Sequence, residues 1–238
     1  MYLDNFYSES GDEIRFSREQ ASRFAKSVAD DFNPLHDPTN KPFCVPGDLL
    51  FSVAVVRLGL YQRMRFDFAG MVDGTLPLRF TETDEGQTQV VDESGKSYLN
   101  INHEGECTAD TALSGTLSRR YVEFSGHTFP DILMPLMAEK GVMINPARPL
   151  VIYDSMEIDL ERLDFEDPQL EFTRSSLEVN GKRGSVRLAF QFKSDGQVVG
   201  RGAKFMSLRG LKPYDDREAD AMISEYRDRK VRLKVEQQ

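Results

Sequence analysis

From Ser17 to Ala29, apolar residues fall at Ala21, Phe24, Ala25 and Val28. This i, i+3, i+4, i+7 spacing predicts a helix with one buried face. Ser17 with Gln20 three residues on has the form of a capping box. Pro34 disfavours helical backbone in the residue before it, so this helix must stop ahead of Asn33-Pro34. A polar, proline-rich stretch over 30–46 follows. Residues 48–61 then read as a second helix, apolar nearly all round through Leu49, Leu50, Phe51, Val53, Ala54, Val55, Val56, Leu58 and Leu60. That pattern predicts a buried helix, with Gly47 or Asp48 as its N-cap.

Beyond residue 63 the period shifts towards two. Strands are predicted over 64–71, 75–82, 87–91, 96–103 and 107–117, with turns at Asp73-Gly74, Asp84 to Gly86, Glu93 to Gly95 and Glu104 to Glu106. A helix is predicted over 128–140, with Thr128 and Asp131 at capping-box spacing and Gly141 as its stop. Pro135 argues against that helix being straight. Strands follow over 149–160, 170–179, 185–193 and 197–207, and Asn180-Gly181 and Asp195-Gly196 are strong hairpin signals. A charged helix with a frayed end closes the chain from Pro213 onward.

Each half thus reads as one buried helix followed by an antiparallel meander. A helix apolar all round needs a sheet curved about it. Two such units, over 1–118 and 119–212, can join their sheets edge to edge and cover each other's open strands. Residues 213–238 form a charged tail. The repeat is one of pattern, without residue-by-residue self-similarity.

Composition narrows the setting. The chain has 238 residues, 39% hydrophobic and 29% charged, ordinary for a globular protein. No run approaches the roughly 20 apolar residues that span a bilayer; the longest, 49–60, is interrupted by Ser52, Arg57 and Gly59. The N-terminus lacks the basic-then-apolar order of a secretory signal. Two cysteines, Cys44 and Cys107, suit a reduced cytoplasmic protein. A net charge of −9 argues against nucleic acid as a partner.

The chemistry concentrates in Asp31-Phe32-Asn33-Pro34-Leu35-His36. Asn33-Pro34 makes a tight turn that brings Asp31 towards His36. A carboxylate and an imidazole are the usual pair for moving protons near neutral pH, and the N–H groups that open a helix can hold a developing oxyanion. This hexapeptide, between an amphipathic helix and an apolar one, resembles the Asp-x-Asn-Pro-[apolar]-His pattern of the MaoC-like (R)-specific enoyl-CoA hydratase family. The likeness in order of elements covers about 16–117. It implies an α+β fold, a double hotdog with two antiparallel sheets each wrapped around a central apolar helix.

The resemblance further implies hydration or dehydration of a trans-2-enoyl thioester of CoA or acyl carrier protein. Asp31 and His36 would be the catalytic dyad. Asn33 would brace the loop or bind water, and Gly47 would offer its N–H to the thioester oxygen. No metal or other cofactor is implied, and sheets of this fold pair either within one chain or in a homodimer. Thioester hydrolysis and catalytically silent acyl binding are the alternatives on the same fold. The family usually has glycine where this chain has Asp30, and the neighbouring Asp30, Asp31 and Asp37 are expected to disfavour one another's ionisation.

Other groups have plainer readings. His103, Glu104, Glu106 and Cys107 fit no standard metal spacing. His127 reads as a surface or capping residue, Cys44 as small packing, and Gly200 and Gly202 as points of close backbone approach. The basic residues near the C-terminus read as a solvated face.

Overall fold

The computed structural model describes residues 2–74 and 76–235. Thr75, at the start of one predicted strand, and 236–238 of the predicted tail lie outside the described residues. The first unit opens with β1 (Ser8–Ser10) and β2 (Glu13–Arg15), followed by α1 (Arg18–Ser27), a 3-10 turn (Pro34–His36) and α2 (Gly47–Leu58). It continues with β3 (Leu60–Phe68), β4 (Leu78–Glu82), β5 (Thr88–Val91) and β6 (Ser97–Thr108). Three helices, α3 (Thr111–Ser125), α4 (Thr128–Asp131) and α5 (Leu133–Glu139), lead to β7 (Val142–Met143). Then come β8 (Leu150–Leu160), β9 (Gln169–Asn180), β10 (Arg183–Ser194), β11 (Gln197–Arg209), β12 (Lys212–Pro213) and α6 (Asp216–Val235).

Ten strands form one sheet in the order β1-β2-β4-β5-β6-β3-β8-β11-β10-β9, and β7 pairs with β12 apart from it. The two units meet edge to edge where β3 runs antiparallel to β8. Along this seam Met64 and Phe66 face Ile158 and Met156, while Arg63 and Arg65 lie opposite Asp159 and Glu157. One phase of the seam is therefore core and the other carries matched charges.

Alpha2 is buried as its composition requires. Phe51 packs edge-on against Phe66 and Tyr121 at 4.9 and 5.0 Å between ring centres. The α1 capping box forms in both directions, Gln20 N–H to Ser17 Oγ at 3.1 Å and Ser17 N–H to Gln20 Oε1 at 2.9 Å. The fold is the expected α+β double hotdog, with one difference in the second unit. Its sheet is covered by α3 and α5 rather than by one central helix, with Leu133, Met134 and Met137 packed towards Leu177, Val186, Leu188 and Leu208.

Three predicted elements differ. The strand expected over 107–117 is absent, and the division at 118/119 falls inside α3. Asp110 caps α3 by accepting from the Ala112 and Leu113 N–H groups at 2.8 and 3.2 Å. Leu113, Leu117 and Tyr121 then recur at helical spacing on its buried face. The Glu104–Glu106 turn is instead a bulge within β6, where Gly105 takes φ 85° and the register to β3 shifts. The helix expected over 128–140 breaks at Phe129 (φ −115°, ψ 131°), because Pro130 pushes the preceding residue to extended backbone. Pro135 sits harmlessly in the first turn of α5, and Thr128 Oγ1 donates to the Ser125 carbonyl rather than capping. Among the described residues, no helix is long and apolar enough to cross a membrane.

Candidate functional site

The motif loop is wound by its own short side chains. Asp31 Oδ1 accepts from the Asn33 N–H at 2.9 Å, and Asn33 Oδ1 accepts from the Leu35 N–H at 3.0 Å. Two successive Asx turns of this kind reverse the chain and bring Asp31 Oδ2 to 3.6 Å from His36 Nε2. The far side of the imidazole is anchored, with His36 Nδ1 2.7 Å from the Cys44 carbonyl oxygen. A carbonyl only accepts, so Nδ1 carries a proton and Nε2 is the nitrogen turned towards Asp31. The Cys44 N–H closes the loop by donating to the Leu35 carbonyl. Asp31 and His36 are thus brought together, and Asn33 braces the turn between them.

Gly47 is the first residue of α2 rather than its cap, so the cap falls one place before the earlier of the two expected positions. The N-cap is Pro46, which supplies no side-chain hydrogen bond. The rings of Phe68 and Tyr153 lie so near Gly47 that a Cβ there would come within 3.1 Å of both. Asp48 follows in the first turn, buried, with Oδ1 unpartnered and Oδ2 3.9 Å from Lys204 Nζ. Lys204 donates to Ser125 Oγ at 2.6 Å and sits 4.0 Å above the Tyr153 ring. The Tyr153 hydroxyl in turn bonds that of Tyr121. Burial, reinforced by Asp48, pushes both phenols well above their ordinary range.

Sequence reasoning missed this cluster, because its members come from α2, α3, β8 and β11. One signal was available: Lys204 shares the inward phase of β11 with Met206 and Leu208.

The charged tail is not a solvated end. Alpha6 lies across the motif loop. The Phe32 N–H donates to the Tyr226 hydroxyl at 3.2 Å, and Arg229 Nε donates to the Phe32 carbonyl at 2.8 Å. Arg229 also pairs with Asp37, Lys230 pairs with Asp30, and Lys234 Nζ stands 2.8 Å from Asp30 Oδ1. Burial alone would raise the Asp30 carboxyl, but the bonds from Lys230 and Lys234 outweigh it and hold the group below the usual carboxylate range. For Asp30, the expected mutual suppression of ionisation among neighbouring acids is therefore overcome by cations from a distant part of the chain.

The plainer readings also find their places. Burial pushes the Cys44 thiol up to about 11, the opposite of an activated nucleophile. His103 stacks on Tyr61 at 4.1 Å and Glu104 pairs with Arg63. His127 is exposed at the start of α4 without capping it. At Gly200 a Cβ would lie 2.6 Å from Leu160, and at Gly202 it would collide with Phe190.

The strand order and the helix buried against the sheet place the protein in the α+β, double-hotdog class. The chain belongs to the family described as "Protein of unknown function (DUF3581)", whose model matches residues 1–217. No curated protein matches it. Among solved structures it is similar to an acyl-CoA thioesterase II from Mycobacterium marinum, at 10% identity and TM-score 0.46 over 90% of this chain and 100% of the other. It is also similar to a MaoC-like dehydratase, at 11% identity and TM-score 0.43 over 86% and 98% of the two chains. A third is full-length peroxisomal multifunctional enzyme type 2 from Drosophila melanogaster, at 12% identity and TM-score 0.46 over 83% and 48%.

Proposed function

We propose that this protein is a hydratase of trans-2-enoyl thioesters carried on CoA or acyl carrier protein. The observation that carries the reading is the Asp31–His36 pair, 3.6 Å apart, with the imidazole anchored at its other nitrogen. Both groups can reach one water molecule. The water oxygen bonds to C3 of the enoyl group, the C2–C3 double bond is lost, and a proton is delivered to C2. Asp31 and His36 take the proton from water and return it, so they end as they began. The Gly47 N–H, at the positive end of α2, steadies the charge that develops on the thioester oxygen. Asn33 braces the loop. The step as written consumes the enoyl thioester and one water and draws on no other reactant.

A second reading, thioester hydrolysis, draws on one specific observation. Asp48 sets a buried carboxylate oxygen without a partner directly beside Gly47.

The two are separated by following loss of the conjugated double bond and release of free thiol in parallel, on short trans-2-enoyl-CoA substrates. Hydration that falls about 10²–10⁴-fold in Asp31→Asn supports the hydratase. Thiol release lost in Asp48→Asn and kept in Asp31→Asn supports hydrolysis. Neither signal, from well-folded protein across several chain lengths, defeats both readings and puts catalytically silent acyl binding ahead of them.

A further inference from the structure

Alpha6 changes character along one face. Its inward positions are Ala219, Met222, Ile223, Tyr226, Arg229 and Lys230, a helical spacing of 3, 1, 3, 3 and 1. The first three pack into the apolar cluster beneath α5. Tyr226 then turns its ring edge-on to Phe129 at 5.2 Å. From there the same face is polar and cationic, and it changes where it reaches the motif loop.

What it meets there explains the change. Phe32 follows Asp31 directly and is fully buried. Both its backbone polar groups therefore need partners. Alpha6 supplies both, the Tyr226 hydroxyl for the N–H and Arg229 Nε for the carbonyl. Arg229 also reaches Asp37, just beyond His36, and Lys26 of α1 holds Asp37 from the other side at 3.1 Å. The peptide next to the catalytic carboxylate and the residue next to the imidazole are thus tied to one arginine. Asp31 is also steadied by its own Asx turn, by its N–H bond to the Ala25 carbonyl and by the Tyr226 hydroxyl, which interacts with its carboxylate as well as with the Phe32 N–H.

We infer that Tyr226 and Arg229 are positioning residues of the Asp31–His36 dyad, and that α6 is part of the active site. The inference rests on the hydratase reading for its kinetic consequence. The family match ends at residue 217, one residue past the start of α6, so Tyr226 and Arg229 lie beyond the matched segment while the loop they hold lies within it. Neither residue needs to touch substrate. Each acts by holding the Phe32 peptide, and with it the direction in which Asp31 points.

The test uses the full chain in four forms: wild type, Arg229→Gln, Arg229→Lys and Tyr226→Phe. On a short trans-2-enoyl-CoA, Arg229→Gln is expected to lower kcat by about 10²-fold with KM within about twofold, the cost of a misplaced catalytic group. Tyr226→Phe is expected to lower kcat by about tenfold. Arg229→Lys keeps the charge beside Asp37 but loses the fork, and is expected to recover part of the loss. It also keeps the test sound if Arg229→Gln folds poorly.

A second readout does not depend on turnover. The chain has three histidines, so the ring-proton resonance of His36 can be followed against those of His103 and His127. It is expected to move in Arg229→Gln while the other two stay. Movement together with the kcat loss supports the inference. An unmoved His36 resonance, or an unchanged kcat in an active enzyme, overturns it. A wild type that hydrates nothing defeats the hydratase reading instead, and the resonance alone then decides whether α6 sets the geometry of the pair.

Discussion

Asp30 shows how one residue's surroundings can reverse its expected behaviour. It takes φ 54°, the left-handed region that glycine enters freely and aspartate tolerates. The backbone need is local, but the charge is settled by lysines about 200 residues away in sequence, as in the Lys230 bond. Lys204 is the complementary case, a cation placed in the core beside Asp48. Replacing only one member of a buried pair leaves the other uncompensated, which typically costs about 3–5 kcal/mol. Lys204→Met is therefore expected to lower the urea midpoint sharply, and Asp48→Asn added to it is expected to restore most of the loss. A midpoint unchanged in Lys204→Met would mean that the pair contributes nothing to stability.

At the scale of elements, α6 is the instructive one. Its acids lie towards its start and its bases towards its end, in keeping with the helix dipole. That pattern alone gives no sign of what the bases touch. Because Asp30 is held below the ordinary carboxylate range when folded, its pairing with Lys230 and Lys234 stabilises the attachment at neutral pH. The contribution is lost as pH falls below the unfolded value of about 3.9 towards the lower folded one. Hydrogen exchange over 30–36 is expected to quicken in that window relative to α2, and Asp30→Asn is expected to show the quickened rate already at neutral pH. Equal exchange in the variant and wild type at pH 7 would show that these ion pairs do not hold the loop. Helix α3 teaches the opposite lesson. Its cap, Asp110, and its helical spacing are present in the sequence, but the alternation after Cys107 reads as a strand.

For the molecule as a whole, the decisive contact is the β3–β8 seam. It joins the edge strands of the two units within one chain. Arg65 lies opposite Glu157 there, with 3.4 Å between their charged groups. Exposed pairs of this kind contribute about 0.2–1 kcal/mol. Arg65→Glu is expected to cost about 1 kcal/mol in thermal or urea unfolding, and the swap Arg65→Glu with Glu157→Arg is expected to recover most of it. If the double swap is no better than the sum of the single changes, the registered pairing does not contribute.

Residue order is enough to specify whatever short-range physics controls. The α1 cap, the all-round apolar α2, the Asn180-Gly181 and Asp195-Gly196 hairpins and the turn-forming Asp31–His36 motif all follow from side chains acting within a few residues. Edge-to-edge joining of the halves was also legible, because open strand edges demand partners. Three features emerge only from the folded arrangement: the sharing of the second sheet between α3 and α5, the buried Asp48–Lys204–Tyr153 cluster, and the seating of α6 on the site loop. Each of these joins residues separated by dozens to hundreds of positions. Periodicity records that a face is buried or charged, but not against what. That depends on chain connectivity and packing, which no local pattern contains.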